Sequence, residues 1–463
     1  MTALQPEQNF PTDTHRLAST TGRIMALIGR LPTPPRRRRT GLLTVLLTAL
    51  APAVFATETT AAAEPTDQGE PSSTLAPTPL WPSLASVLAL PPWLNLDLEL
   101  SAEPMAGNAP GLGSSGAWMQ QLTLTAEASR GLGRDKGQWQ EFDHWKTSLQ
   151  LTAFSGNPNL NQTLGTAFPL QTAAHPVGLW LTEATVQRVA AGDPVFFKAG
   201  LMALNPSFVQ SEVFNSYIHS ALNNTLNLEI NGFPINPFIA PAATLHLHLG
   251  SSSELRIGQF WLDNVNNLAS LFGVNPQQNA GSGSLQLVQW NWRDLPGSDA
   301  LQQPIRRGEK LVSRQLPPPL LQLGGFNTTG PDPNLGLYGT LTMAVPLPVG
   351  LDHRVWVGFN NGFTIQNDPD PTFVAAGWLA QGLLPGRPLD VLAVGYGSTW
   401  FNNNLNAGLI QGPNPEAVVE INYAIPLSSQ LTIQPVLQWI MQPRGSSTRQ
   451  SVVAAGIQVN LSF

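Results

Sequence analysis

The 463-residue sequence contains no cysteine, so neither a disulfide framework nor a thiolate metal site is available to it. Charge is scarce as well. Asp, Glu, Lys and Arg make up 11% of residues, where a soluble domain carries about a quarter. Long apolar runs are missing outside residues 41–56, which excludes a bundle of membrane helices, each needing about twenty apolar residues. Also absent are a nucleophile elbow, a paired His-Glu zinc motif and a phosphate loop, so the sequence supports no enzyme and no cofactor. What the chain has in quantity is turn formers, 41 Gly and 42 Pro, many of them clustered between short segments. Its mean hydropathy is close to neutral. Low charge with neutral hydropathy is the composition of a barrel whose strands turn one face to lipid and the other to water.

The first 56 residues read as a leader. Arg36, Arg37, Arg38 and Arg39 precede the apolar run, which ends Val54-Phe55-Ala56. A basic block, a short apolar core and small residues before the cut make a secretory signal peptide. A single membrane anchor is the competing reading, but Pro52 interrupts a core already short for a span, which favours cleavage after Ala56. Met25 is an alternative start that would give a leader of ordinary length. Removing residues 1–56 takes seven of 23 basic and two of 29 acidic residues, leaving 16 and 27 and a net charge of −11. That balance disfavours nucleic acid as a partner. Residues 57–92, rich in Ala, Pro and Thr without periodicity, predict a flexible periplasmic lead-in. Residues 93–463 are the expected barrel domain.

From Trp93 onward the pattern has period two. In the last segment Val453, Ala455, Ile457, Val459, Leu461 and Phe463 share one face, and Ala454, Gly456, Gln458, Asn460 and Ser462 share the other. Leu94, Leu96, Leu98 and Leu100 likewise oppose Asn95, Asp97, Glu99 and Ser101. The pattern predicts strands near 93–104, 117–129, 140–154, 177–190, 193–204, 242–250, 254–263, 284–293, 310–325, 335–345, 352–361, 371–381, 387–399, 415–427, 429–441 and 450–463. An all-β, antiparallel transmembrane barrel of about sixteen strands follows, the even number that termini on one side require. The segment 310–325 is the awkward one, because Pro317, Pro318 and Pro319 interrupt any ladder. Long external loops are expected at 156–176, 205–241, 264–283 and 400–414, with short periplasmic turns between them, although 294–309 is long for such a turn. The third external loop, 205–241, carries Phe208, Phe214, Tyr217, Phe233 and Phe238 and is expected to fold inward to bury them.

Several stretches of the final third resemble the carbohydrate-selective porin family (OprB-type porins). They are Gly336-Leu337-Tyr338, residues 382–390 with Gly382, Pro385, Gly386 and Asp390, the strand from Glu416 through Glu420 to Tyr423, and residues 434–445 with Pro435, Gln438, Pro443 and Gly445. Residues 198–205, from Lys198 through Gly200 to Asn205, with Phe208, extend the resemblance back to about residue 140. The resemblance implies a sixteen-stranded outer-membrane pore, a homotrimer, and uptake of sugars. Some relatives carry an additional N-terminal envelope-binding domain, for which residues 57–92 leave no room. Phe463 resembles the terminal aromatic that the barrel assembly machinery reads in many outer-membrane proteins.

Candidate pore-lining residues follow from strand parity. Glu416 and Glu420 share the face opposite Val419, Ile421 and Tyr423, and Asp97, Glu99, Glu103, Glu127, Glu254 and Arg256 point inward by the same rule. Placing charge on the lipid face would cost about 2–4 kcal/mol for a basic residue at mid-depth. The glutamates are expected either to bind sugar and repel anions or simply to form a hydrated wall. His246 and His248, two apart on one face, read as polar residues in a wet lumen rather than metal ligands, no third ligand being evident. Phe214, Tyr217 and Phe233 of the third loop are candidate platforms for a sugar ring. Gly111-Leu112-Gly113-Ser114-Ser115-Gly116 matches a dinucleotide pattern but lacks the helix that should follow, and reads as a loop. Asp368-Pro369-Asp370 could suggest calcium, with a solvated external loop the favoured reading. The expected partners are outer-membrane lipid, the assembly machinery and small hydrophilic solutes such as sugars or ions. The expected function is a porin for passive diffusion, with a general or cation-preferring pore and a non-conducting envelope barrel as alternatives.

Overall fold

A computed structural model describes residues 74–463 except 131–133, 136–137, 140–143, 190–194, 224–225, 227–232, 263–282, 297, 299–302, 308–309, 332, 365–367, 369 and 403–409. The chain divides into two units, Met1–Asp67 and Gln68–Phe463. The expected leader at 1–56 and the first part of the lead-in lie outside the described residues.

Sixteen antiparallel strands close into one barrel. They are β1 Leu94–Ala109, β2 Gly113–Arg130, β3 His144–Gly156, β4 Gly178–Val189, β5 Val195–Met202, β6 Ala240–His248, β7 Ser253–Trp261 and β8 Ser284–Trp292. The second half comprises β9 Leu320–Thr329, β10 Leu335–Ala344, β11 Asp352–Gly362, β12 Thr372–Gln381, β13 Val391–Trp400, β14 Glu416–Pro426, β15 Leu431–Met441 and β16 Val452–Ser462. Each strand pairs with its neighbour in sequence, and β1 closes on β16 in a register running from Glu99 opposite Ser462 to Asn108 opposite Val453. Closure leaves no edge strand, so the backbone polar groups of the wall are met within the wall.

The two faces sort as period two demands. Trp439, Ile421, Val357 and Leu437 are exposed on the outside, while Gln438, Glu420 and Trp356 beside them are buried on the inside. Tryptophans mark both rims of the outer face. Trp93, Trp145 and Trp292 stand at the end that carries the termini, and Trp118, Trp261, Trp400 and Trp439 towards the other, all exposed. Indole rings with one polar N–H suit the lipid–water boundary, so the two rows bound the apolar band.

Three expectations on strand ends are corrected. The ninth strand begins at Leu320 instead of 310, because Pro317, Pro318 and Pro319 have no N–H for a ladder. Lys310–Val312 pairs instead with Ile305–Arg307 and, in parallel, with Thr74–Leu75. This accounts for the long connection at the terminal end: it is a small sheet shared with the lead-in. Secondly, the glycine cluster at 111–116 is a tight hairpin rather than an open loop. Gly111 and Gly113 adopt φ of 86° and 92°, which lets β1 and β2 run to their full lengths. Thirdly, β13 starts at Val391, since residues 382–390 form a turn in which the Gly382 N–H donates to the Asp390 carbonyl (2.9 Å) and Arg387 Nε donates to Asp390 Oδ2 (2.7 Å).

The lead-in was expected to be flexible throughout, but its described part is held against the barrel. Gln430 Oε1 accepts the N–H groups of Leu80 and Trp81 (2.8 and 3.0 Å), and Gln430 Nε2 donates to the Trp81 carbonyl (2.8 Å). Trp81 Nε1 donates to the Ser462 carbonyl (3.0 Å), and its ring stacks on Phe463 with centroids 5.2 Å apart. The Gln430 amide thus satisfies backbone groups of Leu80 and Trp81, which lie outside any ladder.

Candidate pore lumen

The connection between β5 and β6, residues 203–239, places its rings against the inner wall. Phe208, Phe214, Tyr217 and Phe233 are at most 1% exposed. Tyr217 sits where the wall is small: a Cβ on Gly377 would come within 2.3 Å of its hydroxyl, and one on Gly395 within 2.5 Å of its ring. Trp356 Nε1 donates to the Tyr217 hydroxyl (2.9 Å), which donates to the Val394 carbonyl (3.0 Å). Phe214 meets Trp356 edge-on at 5.4 Å, and Phe233 meets Phe326 at 5.0 Å. These rings are therefore spent on packing, and the expectation that they offer faces to a sugar is corrected. Their apolar surface has a nearer partner in the wall.

Glu416 and Glu420 face inward as parity requires, but they are buried rather than water-facing. Glu416 accepts backbone N–H groups from Ala167 (2.8 Å), Phe168 (3.3 Å) and Arg444 (2.6 Å). Glu420 accepts from the Ile218 and His219 N–H groups (2.8 and 2.6 Å), and from Asn422 Nδ2 and Gln438 Nε2 (2.7 and 3.1 Å). Their expected role as field-setting charges is corrected accordingly: each clamps a connection to the wall, because a desolvated carboxylate needs donors. Glu103, also 1% exposed, does the same with the Ala173 N–H (3.0 Å) and Gln458 Nε2 (2.6 Å). Three glutamates from two strands thus hold residues 157–177 and 203–239, which also touch each other through the Ser220 N–H and the Pro169 carbonyl (3.2 Å). Burial lowers the His219 imidazole in the longer connection to about 3, and its neutral Nδ1 accepts the Ala221 N–H (3.2 Å).

The charged arc lies on β1–β7, in the half of the lumen nearer the termini. Lys146 pairs with Glu127, and Lys198 with Glu183 (2.8 Å). Glu254 is caged by Arg256 (2.8 Å), His246 (3.3 Å), His248 (3.6 Å) and Asn291 Nδ2 (3.0 Å). The two histidines thus converge on a carboxylate. Asp97 accepts from Asn95 Nδ2 (2.5 Å), and Glu99 is exposed. Beside Glu99 a cavity of about 260 Å³ is lined by Ser101, Gln121, Thr123, Thr432 and Asn460 among others. It spans the β1–β16 seam, below the region that the two clamped connections fill.

Among the described residues, the inner wall nearer the termini is polar and charged, and the rings and glutamates above it are packed against the two connections. The profile of the carbohydrate-selective porins, OprB family, matches residues 143–463. The chain belongs to the OprB family of carbohydrate-selective porins. It is a bacterial outer-membrane porin, a channel through which small solutes diffuse passively. Among solved structures, the high-pH form of Pseudomonas putida OprB is similar at a TM-score of 0.63 and 15% identity, covering 80% of this chain and 94% of that one. The low-pH form of the same protein gives 0.51 and 14%, over 84% and 100%. No curated protein sequence matches it.

Of the porin's inner residues, sequence parity alone placed Asp97, Glu99, Glu127, Glu254, Arg256, His246 and His248. It did not separate exposed acids from buried clamps. The available signal was the run of small residues, Gly377, Gly395 and Gly258, on inward positions of β12, β13 and β7, where a ring from elsewhere must enter. Asp368 and Asp370 were expected in a solvated loop and are instead fully buried, with Asn334 of the β9–β10 connection donating to Asp368.

Proposed function

We propose that this porin passes neutral hydrophilic solutes, sugars foremost, through a lumen narrowed by residues 157–177 and 203–239. The observation that carries the reading is the cavity at the seam, where hydroxyls, side-chain amides and one carboxylate, alongside Leu100 and Leu461, suit the hydrogen-bonding groups and C–H faces of a polyol. Stepwise conductance in planar bilayers, reduced reversibly by added neutral sugar, is the expected result. Silence would favour a closed envelope barrel, and conductance indifferent to sugar a general pore. A weak cation preference is also expected. Glu127, Glu183 and Glu254 are each matched by a base, whereas Asp97 and Glu99 form no salt bridge among the described residues. An Asp97→Asn, Glu99→Gln double variant should move the reversal potential in a salt gradient towards anions.

The same proposal includes export with cleavage after Ala56 and assembly as a homotrimer. N-terminal sequencing of outer-membrane material and a native gel test these two points. Phe463 is proposed as the signal read during assembly, and its ring on Trp81 gives it a second role at the rim. Phe463→Asp should reduce folded, heat-modifiable barrel severalfold, while Trp81→Ala should leave assembly near normal. Equal losses from both would assign Phe463 to rim packing alone.

A further inference from the structure

Asp368 and Asp370 lie in the connection between β11 and β12, at the end of the barrel away from the termini. They are linked to each other and to a second connection. The Asp370 N–H donates to Asp368 Oδ1 (2.9 Å), and Asn334 Nδ2, from the connection between β9 and β10, donates to Asp368 Oδ2 (2.9 Å). Asp368 Oδ2 also occupies the space above Gly362, where a Cβ would stand only 1.6 Å away.

The contrast with the other buried acids is chemical. Glu103, Glu416 and Glu420 are each filled by N–H donors, as buried carboxylates must be. Both Asp370 oxygens, by contrast, are buried without a hydrogen-bond partner, and so is Asn334 Oδ1. Part of the reason is in the sequence Asp368-Pro369-Asp370-Pro371, in which neither proline has an N–H to offer. Because Asn334 gives its Nδ2 to Asp368, its Oδ1 lies on the same small amide plane beside the carboxylates. Asn360, the next inward residue of β11 below Gly362, is fully buried with both side-chain polar atoms uncommitted.

We propose that Asp368, Asp370 and Asn334 form a calcium site that ties the β9–β10 and β11–β12 connections together at the outer mouth. The donors are all hard oxygens, two carboxylates balance one divalent cation, and an irregular site with an amide oxygen suits calcium better than magnesium. Nothing in this assignment depends on which solute the pore carries.

The test uses the full mature protein in detergent, stripped with a chelator and titrated calorimetrically with calcium chloride, then with magnesium chloride. One saturable calcium per chain is expected, with Kd in about the 10⁻⁴–10⁻³ M range of extracellular calcium modules. Asp370→Asn should weaken binding by about tenfold or more, since it removes a ligand charge, with the heat-modifiable barrel band retained. Asn334→Ala, which keeps both acids, should also weaken binding and covers the case in which Asp370→Asn fails to fold. No saturable calcium binding, equal binding of magnesium, or unchanged affinity in both variants would overturn the assignment.

Discussion

Replacing residues 206–233 with a short Gly-Ser linker is expected to raise single-channel conductance severalfold while the barrel still assembles. The excision is feasible because the stem of this connection is already closed: the Leu204 N–H donates to the Pro234 carbonyl (2.7 Å), and the Asn236 N–H to Asn205 Oδ1 (3.0 Å). What leaves is the packed mass of Phe208, Phe214, Tyr217, Leu222 and Phe233, which fills volume between β7 and β13. The wall does not depend on it for backbone pairing, since every ladder runs strand to strand. The loss falls on packing, where removing one large buried ring typically costs about 3–5 kcal/mol, so a lower unfolding temperature should accompany the wider pore. Sugar block should weaken as well. Unchanged conductance with loss of the trimer band would instead mean that this connection serves contacts between subunits.

Glu420→Ala should have the next largest effect, and on gating rather than selectivity. The substitution leaves the Ile218 and His219 N–H groups buried without an acceptor, at about 1–3 kcal/mol each. Residues near 218 should then leave the wall part of the time, giving a noisier open channel and faster proteolysis within 203–239. Glu420→Gln keeps one acceptor oxygen and should be milder. Neither variant should move the reversal potential much, because the carboxylate is fully buried and surrounded by donors. A large shift towards anions in Glu420→Gln would show that the carboxylate faces the permeation path, contrary to its packing here.

The barrel was legible because alternation is a property of each strand taken alone. Val453, Ile457 and Leu461 declare their face without reference to any other part of the chain, and closure follows once such strands are counted. The clamps were not legible in the same way. Glu420 and Glu99 obey the same parity, yet one is sealed and the other open, and the difference is made by Ile218 and His219, some two hundred residues from Glu420. Local pattern carries no record of such partners. The rings at 208–238 showed that the connection had to bury something, but whether their faces remained free depended on wall residues such as Trp356 and Gly395. Pro317, Pro318 and Pro319 were the one place where a local rule, applied strictly, would have set the strand start correctly.

The pairing of β1 with β16 joins residues near the two ends of the sequence, as with Glu99 opposite Ser462. Contacts this distant in the chain bear the greatest loop-closure entropy and are intrinsically slow to form. The seam should therefore be the last ladder to zip. It is also the place with cross-ties at two heights. Glu103 on β1 holds Gln458 on β16 in the interior, and the lead-in holds Ser462 and Phe463 at the rim through Trp81. A cylinder whose closing joint is tied twice resists lateral splitting, and those ties can engage only after the final strand has arrived.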